Sequence, residues 1–405
     1  MTSAPEPETL RVTLSGEDRP GVTSTVLGAL AAERADVLDL EQIVVRDHLT
    51  LSLLVGGASI DRLTSVAHAV GQQLGMRTRT RAGRGDSSDR ATGRAHVVVL
   101  GHPLRAGALA AVTARIAAHG ANIDRIRRLA RYPVTTLELD ISGADVPRLR
   151  TELAVLASTE RVDVAVAPAG LARLGSRLVV MDVDSTFIQQ EVIELIAAHA
   201  GCADEVAQVT ERAMRGELDF AESLRARVAL LAGLPVSVLD EVREQVVLTP
   251  GARTLVRTLK RLGDTVALVS GGFLEIVAPV AAELGIDHAV ANRLEVADGR
   301  LTGRVEGEIV DRAAKARALR RFAEEAGLPP SRTVAIGDGA NDLDMLAAAG
   351  LGVAFNAKPL VREQAHAAVN VPYLDAVLYL LGITREDIED ADARDGIPTP
   401  APTVH

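Results

Sequence analysis

Two hydrophobic patterns divide this chain. Up to about residue 170, apolar and polar positions alternate in short runs, as at Val12 to Leu14, Leu51-Leu53-Val55, Val97 to Leu100 and Leu137-Leu139-Ile141. That period predicts strands with one buried face. After Pro168-Ala169-Gly170 the pattern changes to buried strands, Leu178-Val179-Val180-Met181, Thr265 to Val269 and Thr333 to Ile336, alternating with long helical stretches. This is the signature of a parallel α/β sheet.

The first 170 residues repeat at an offset of 86: Gly21 pairs with Gly107, Asp36 with Asn122, Val37 with Ile123, and Leu51, Leu53 and Val55 with Leu137, Leu139 and Ile141. Each copy runs strand, turn, helix, two strands, helix and strand, which is βαββαβ. Arg77 to Arg94, with six arginines and no apolar period, reads as an exposed linker. The organisation expected is therefore a first repeat over 1–80, a linker over 81–95, a second repeat over 96–170 and an α/β region over 171–385. A helical cap is inserted at about 189–247, and a tail over 386–405, acidic and then Pro-rich, is expected to be disordered.

Composition narrows the class. The chain has 405 residues, 47% of them apolar, a mean hydropathy of +0.17 and no uncharged run of the length a membrane span needs. Glu6 and Glu8 stand where a signal peptide would be basic, so a cytoplasmic location with no membrane association is expected. A net charge of −10 with five Phe, three Tyr and no Trp argues against a nucleic-acid surface. The single cysteine, Cys202, has no partner for a disulfide and reads as a small core residue. Lys260, Lys315 and Lys358 are the only lysines among 44 basic residues.

The chemistry gathers where strands end, because ligands of open parallel sheets bind outside the carboxyl ends of the strands. Asp182 and Asp184 flank one residue after the first strand, an arrangement suited to Mg2+ or simply to capping the next helix. Ser270-Gly271-Gly272 follows the second strand and offers a hydroxyl and unobstructed backbone N–H groups to an anion. Lys315, in a helical stretch from Arg312 to Ala323, carries a point charge fit for phosphate or for an ordinary helix surface. Gly337-Asp338-Gly339-Ala340-Asn341-Asp342 follows the third strand, and its acids can complete a metal site.

These four segments, in this order, resemble the motifs of the haloacid dehalogenase superfamily: an Asp-x-Asp-x-Thr strand end, a Ser or Thr after a strand, a Lys, and a Gly-Asp-x-x-x-Asp loop. The resemblance implies that Asp182 attacks phosphorus to give an aspartyl-phosphate and that Asp184 serves as general acid and base. It also implies one Mg2+ held by the carboxylates of Asp182 and Asp338 and the backbone carbonyl of Asp184. Ser270, Gly271 and Lys315 would gather the phosphoryl oxygens, with Asn341 and Asp342 in support. Ion pumps of the superfamily carry Thr in place of the second acid, so Asp184 favours hydrolysis.

Within the superfamily the cap resembles that of phosphoserine phosphatases. Glu191 matches the acid that meets the substrate amine, Arg227 the arginine that grips its carboxylate, and Met214 and Phe220 apolar lining positions. The implied reaction is hydrolysis of O-phospho-L-serine to L-serine and phosphate, the last step of serine biosynthesis. The repeats resemble ACT domains, regulatory modules that bind amino acids and pair edge to edge. Gly21 and Gly107 supply the glycine after the first strand; Asn122 matches a ligand-binding Asn of some serine-sensing ACT domains, whereas the first repeat has Asp36. A homodimer joined through these domains, with L-serine bound and inhibiting at Gly107 and Asn122, is what this implies. Two alternatives stay open: another small-molecule phosphatase or phosphotransferase of the superfamily, and an amino-acid sensor with an inactive core. The fold expected is a Rossmann-like α/β sheet with a helical cap, preceded by two ferredoxin-like ACT domains.

Overall fold

A computed structural model describes residues 7–85, 92–170, 173, 175–215 and 217–400, and the chain divides into two units, 1–90 and 91–405. In the first unit, β1 (Glu8–Glu17), β2 (Asp36–Val45), β3 (His48–Gly56) and β4 (Arg77–Arg84) form an antiparallel sheet in the order β2-β3-β1-β4. The alternation seen in the sequence is the reason for its one-sided core. Leu10, Val12 and Leu14 of β1 and Leu49, Leu51, Leu53 and Val55 of β3 bury with Val22, Val26, Leu30, Leu63, Ala67 and Val70 of the helices Val22–Ala32 and Ile60–Gln73. Gly21 caps the first helix at φ 95°, a left-handed conformation that glycine adopts without steric cost.

The linker expected over 81–95 is shorter than the sequence suggests, because β4 runs through Arg84 and the next strand starts at Ala95. Alternating Arg and Thr conceal β4. Its backbone pairs with β1, placing Thr78 and Thr80 opposite Leu14 and Val12 on the covered face, while Arg77, Arg79 and Arg81 are exposed. An edge strand over two helices needs apolar cover on one face only, and threonine methyl groups supply it.

The second unit is built on eleven strands among the described residues. The second repeat contributes β5 (Ala95–Gly101), β6 (Asn122–Ala130), β7 (Thr135–Ser142) and β8 (Asp163–Pro168). The α/β region contributes β9 (Leu178–Met181), β10 (Thr265–Phe273), β11 (His288–Ala297), β12 (Arg300–Glu306), β13 (Thr333–Gly337), β14 (Leu351–Phe355) and β15 (Ala367–Val369). Their order is β12-β11-β10-β9-β13-β14-β15-β8-β5-β7-β6, parallel from β11 through β15. Central β9 is buried on both faces: Val179 and Met181 enter one hydrophobic cluster, Leu178 and Val180 the other. Four helices among the described residues, Val192–Ala200, Ala203–Met214, Phe220–Ala229 and Val238–Glu244, form the insertion between β9 and β10.

The second repeat and the α/β region, separate in the sequence reading, share this sheet. Ala165 of β8 pairs antiparallel with Ala367 of β15. Beside that joint Asp163, 5% exposed, accepts from the Asn370 backbone N–H at 2.7 Å and its Nδ2 at 2.5 Å. Val98, Leu100, Leu129, Ala130, Val134 and Ala165 belong to the same buried cluster as Val179, Met181, Tyr379 and Leu381.

The tail expected to be disordered from 386 is instead a helix, Arg385–Arg394, with Thr384 and Asp387 forming its capping box. One of its acids is buried against arginines of the preceding domain, while Glu386, Asp387, Glu389 and Asp390 are exposed. Asp392, fully buried, accepts from Arg257 Nε at 2.8 Å, Arg261 Nη1 at 2.6 Å and Thr399 Oγ1 at 2.8 Å. Residues 401–405 lie outside those described.

Asp392→Ala is expected to lower unfolding free energy by about 2–3 kcal/mol, less than a fully buried pair because both arginines keep some solvent contact. Asp395→Ala, at a half-exposed carboxylate, should cost under about 1 kcal/mol. Urea denaturation of both variants is the check; equal small losses would contradict the packing of this helix.

Candidate active site

Strand β9 lies between β10 and β13, so its carboxyl end opens onto the loops that follow both neighbours. The Asp182 N–H still donates to Ile336 O at 2.9 Å, which anchors the residue to the sheet as the chain turns away. The turn that follows puts Ser185 at φ 56°, an uncommon conformation for a residue with a Cβ. Ser185 Oγ donates to Glu191 Oε1 at 2.7 Å.

Asp182 is 3% exposed and Lys315 fully buried. Lys315 Nζ lies 2.7 Å from both Asp182 Oδ1 and Asp342 Oδ1. The same Oδ1 of Asp182 accepts the Val183 N–H at 2.8 Å. Burial opposes a charged lysine, but Asp182 and Asp342 outweigh it and raise the ammonium's pKa above the usual value. Asp182 is itself raised well above the usual carboxylate range, by burial first and then by Asp342, against the pull of Lys315.

Asp338 lies across the site. It accepts from Thr186 Oγ1 at 2.8 Å, and burial, with repulsion from Asp342 and Glu191 and against that hydrogen bond, raises it to about 6. Carboxylate oxygens of Asp182, Asp338 and Asp342 lie within 4.8 Å of one another. Three hard oxygen donors facing one ammonium leave an excess of negative charge away from water, the condition a divalent cation such as Mg2+ relieves. The residues therefore fit the metal expected from the sequence, and the Asp342 carboxylate lies close by, its Oδ1 held by Lys315 and its Oδ2 accepting the Gly339 N–H at 3.0 Å.

Asp184 faces differently. Its Oδ1 accepts from Val192 N at 2.8 Å and its Oδ2 from Ser270 Oγ at 3.0 Å. Burial and then Glu191 raise its pKa to about 6, against those two hydrogen bonds. Ser270, fully buried, also accepts the Gly272 N–H at 2.7 Å. A Cβ on Gly272 would come within 2.7 Å of Asp184 Oδ2 and force it to shift, and one on Gly271 would press at 3.0 Å on the Phe220 ring.

A cavity of about 680 Å³ has Asp182, Asp184, Asp338, Asn341 and Gly271 on the sheet side and Glu191, Phe220 and Arg227 on the cap side, while Lys315, Asp342 and Ser270 are buried behind its lining. Burial lowers the Arg227 pKa, against the pull of Glu191 and Asp184. Arg227 Nε donates to Ser223 O at 3.4 Å. The side chain of Met214 lies outside the described residues. Sequence reasoning missed Glu194, Arg312 and Lys358 among the lining residues; the scarcity of lysine was the one signal pointing at Lys358. The two ACT positions lie on separate elements. Gly107 is the second residue of the helix Ala106–Ala118, whose cap is Arg105, so it does not reproduce the turn made by Gly21. Asn122 opens β6, and its Nδ2 donates to Asp124 Oδ1 at 2.8 Å.

Residues 179–347 match the haloacid dehalogenase-like hydrolase family, and residues 8–81 and 94–167 each match an ACT domain family. A phosphoserine phosphatase of Streptomyces coelicolor is 61% identical over 95% of this chain and 94% of its own length. Phosphoserine phosphatase SerB2 of Mycobacterium tuberculosis is 52% identical over 95% of each. The crystal structure of a probable phosphoserine phosphatase from Vibrio cholerae, unliganded, superposes with a TM-score of 0.56 at 35% identity, over 74% of this chain and 88% of that one. Near-complete coverage at this identity spans both repeats, the cap and the catalytic sheet, and the chain belongs to the phosphoserine phosphatases.

Proposed function

We propose that this chain hydrolyses O-phospho-L-serine to L-serine and phosphate, with Asp182 as the nucleophile and an aspartyl-phosphate as intermediate. The observation that carries this reading is the state of the Asp182 carboxylate. Lys315 and the Val183 N–H both hold Oδ1, which leaves Oδ2 to attack phosphorus. Lys315 thereby acts as much on the nucleophile as on the phosphate, and a third ammonium hydrogen remains for a phosphoryl oxygen.

Asp184 gives a proton to the departing serine oxygen and then takes one from the water that cleaves the intermediate. A carboxyl poised at about 6 can serve in both directions near neutral pH. Asp182 and Asp338, with the Asp184 backbone carbonyl and Asp342 close by, would hold one Mg2+, which when bound neutralises charge on the transferring phosphoryl group. Ser270, the Gly271 N–H and Asn341 receive the other phosphoryl oxygens. On the cap, Glu191 meets the substrate amine and Arg227 its carboxylate, while Phe220 covers the carbon skeleton. A guanidinium fork suits a carboxylate because it can donate two parallel hydrogen bonds.

A panel of phosphomonoesters tests the assignment. Phosphoserine should be turned over faster than esters lacking amine or carboxylate, and EDTA should abolish release of phosphate. Arg227→Ala should lower kcat/KM for phosphoserine by about 100-fold, as expected for a lost charged hydrogen bond of some 2–3 kcal/mol, with little change on p-nitrophenyl phosphate. Equal rates on all esters, or equal losses in the variant, would remove the cap assignment.

The ACT domains extend the proposal to regulation by a homodimer that binds L-serine at Gly107 and Asn122. The strand β2 supports pairing: all ten of its residues are exposed, including Val37, Ile43 and Val45, and an uncovered apolar edge invites a second copy. The ligand would exchange with Asp124 for the Asn122 amide. Calorimetry of L-serine with the whole protein should give saturable heat that survives Arg227→Ala, which removes product binding at the catalytic site, and disappears in Asn122→Ala. No saturable heat, or heat untouched by Asn122→Ala, would contradict it.

A further inference from the structure

Strand β10 departs from regular pairing at the site. Val269 pairs with Val290 and Phe273 with Asn292, so Ser270, Gly271 and Gly272 stand against the single residue Ala291. Two residues are thus extruded toward the cavity, and the extruded segment consists largely of glycine, which has many backbone conformations to lose. Something outside the segment must hold its shape.

That hold is Asn292, 1% exposed, where pairing resumes. Its Nδ2 donates to Gly271 O at 2.8 Å, and its Oδ1 accepts the Val310 N–H at 2.8 Å. Both partners have only one possible role, a carbonyl that accepts and an N–H that donates, so the orientation of the amide is fixed. The peptide unit that presents Gly271 O to Asn292 presents the Gly272 N–H to Ser270 Oγ at 2.7 Å. Ser270 Oγ in turn donates to Asp184 Oδ2 at 3.0 Å. Because the peptide unit is planar, clamping its carbonyl sets the direction of its N–H, and hence which way the Ser270 hydroxyl points. Val310 lies just ahead of the helix Arg312–Glu325 that carries Lys315, so one amide ties the phosphate-facing loop to the start of the lysine helix.

We infer that Asn292 is a positioning residue for phosphoryl transfer, acting through the Gly271–Gly272 peptide on Ser270. This rests on the reading that Ser270 and Gly271 receive phosphoryl oxygens. Asn292 itself does not line the cavity among the described residues.

A double-mutant cycle of Asn292→Asp with Ser270→Ala tests it, with kcat and KM measured on phosphoserine and on p-nitrophenyl phosphate at saturating Mg2+. Asn292→Asp is isosteric, keeps an acceptor for Val310 and sets an oxygen against Gly271 O. The expected loss is about 10- to 100-fold in kcat, similar for both esters because the loop meets only the phosphoryl group, and below the roughly 100- to 1,000-fold cost of deleting a donor that touches the reacting oxygen. In the Ser270→Ala background the same substitution should cost less than about threefold, since coupled residues are not additive. A kcat within twofold of wild type in folded Asn292→Asp, or an undiminished loss in the Ser270→Ala background, would overturn the inference and indicate a structural role. If Ser270→Ala alone leaves kcat and KM unchanged, the reading of the phosphate loop falls, and the inference with it. Should Asn292→Asp not fold, Asn292→Ser carries the same cycle and the same criteria.

Discussion

The active end of this molecule depends on one buried ammonium. Lys315 bridges Asp182 and Asp342, and without it two buried carboxylates would face each other unpaired. Isolated charges at such depth shift their pKa and neutralise, so the pairing is what opposes the burial and the Asp342 repulsion that raise Asp182, and it fixes the carboxyl through Oδ1. The strand order makes this possible. Central β9 delivers Asp182, β13 delivers Asp338 and Asp342 on its outgoing loop, and the helix packed between them sends Lys315 into the gap. The remaining excess of negative charge is what a bound divalent cation such as Mg2+ would balance.

The cap and the phosphate loop meet at close range. Gly271 lies against the Phe220 ring and Gly272 against Asp184, so the cap helix, the glycine loop and Asp184 share one contact region, and a side chain at either glycine would force its neighbour to shift. Farther out, the catalytic sheet does not end at β15. It continues through the Ala367 and Ala165 pair into the second ACT domain, whose outer face is buried in the catalytic cluster. A ligand bound to that domain would sit on an element built into the same unit as the α/β sheet. The first ACT domain has its own separate core.

Much of this was legible in local pattern. The repeat at 86 residues, the buried strands and the three strand-end motifs all depend on short-range residue types, and each reappears as an element or at the active site. What escaped depends on partners distant in sequence. Lys315 reads as a possible surface lysine because nothing in its helix announces two carboxylates beneath it, and Asp342 reads as support because its distance to Asp182 is a tertiary fact. The Arg and Thr alternation of β4 lacks the apolar signal of a strand, since threonine covers the helices there. Asp392 of the C-terminal helix looks solvated until Arg257 and Arg261 are placed beside it. Asn292 offers no motif at all; only the bulge in β10 shows what its amide holds.

The most direct measurement is a rapid acid quench of a single turnover with phosphoserine, followed by peptide mass analysis. The expected result is a phosphoryl group on Asp182 that forms and decays at catalytically competent rates and is absent from Asp182→Asn, which should be folded and inactive. Phosphorylation of a different residue, or turnover retained by Asp182→Asn, would contradict the assignment of Asp182 as the nucleophile.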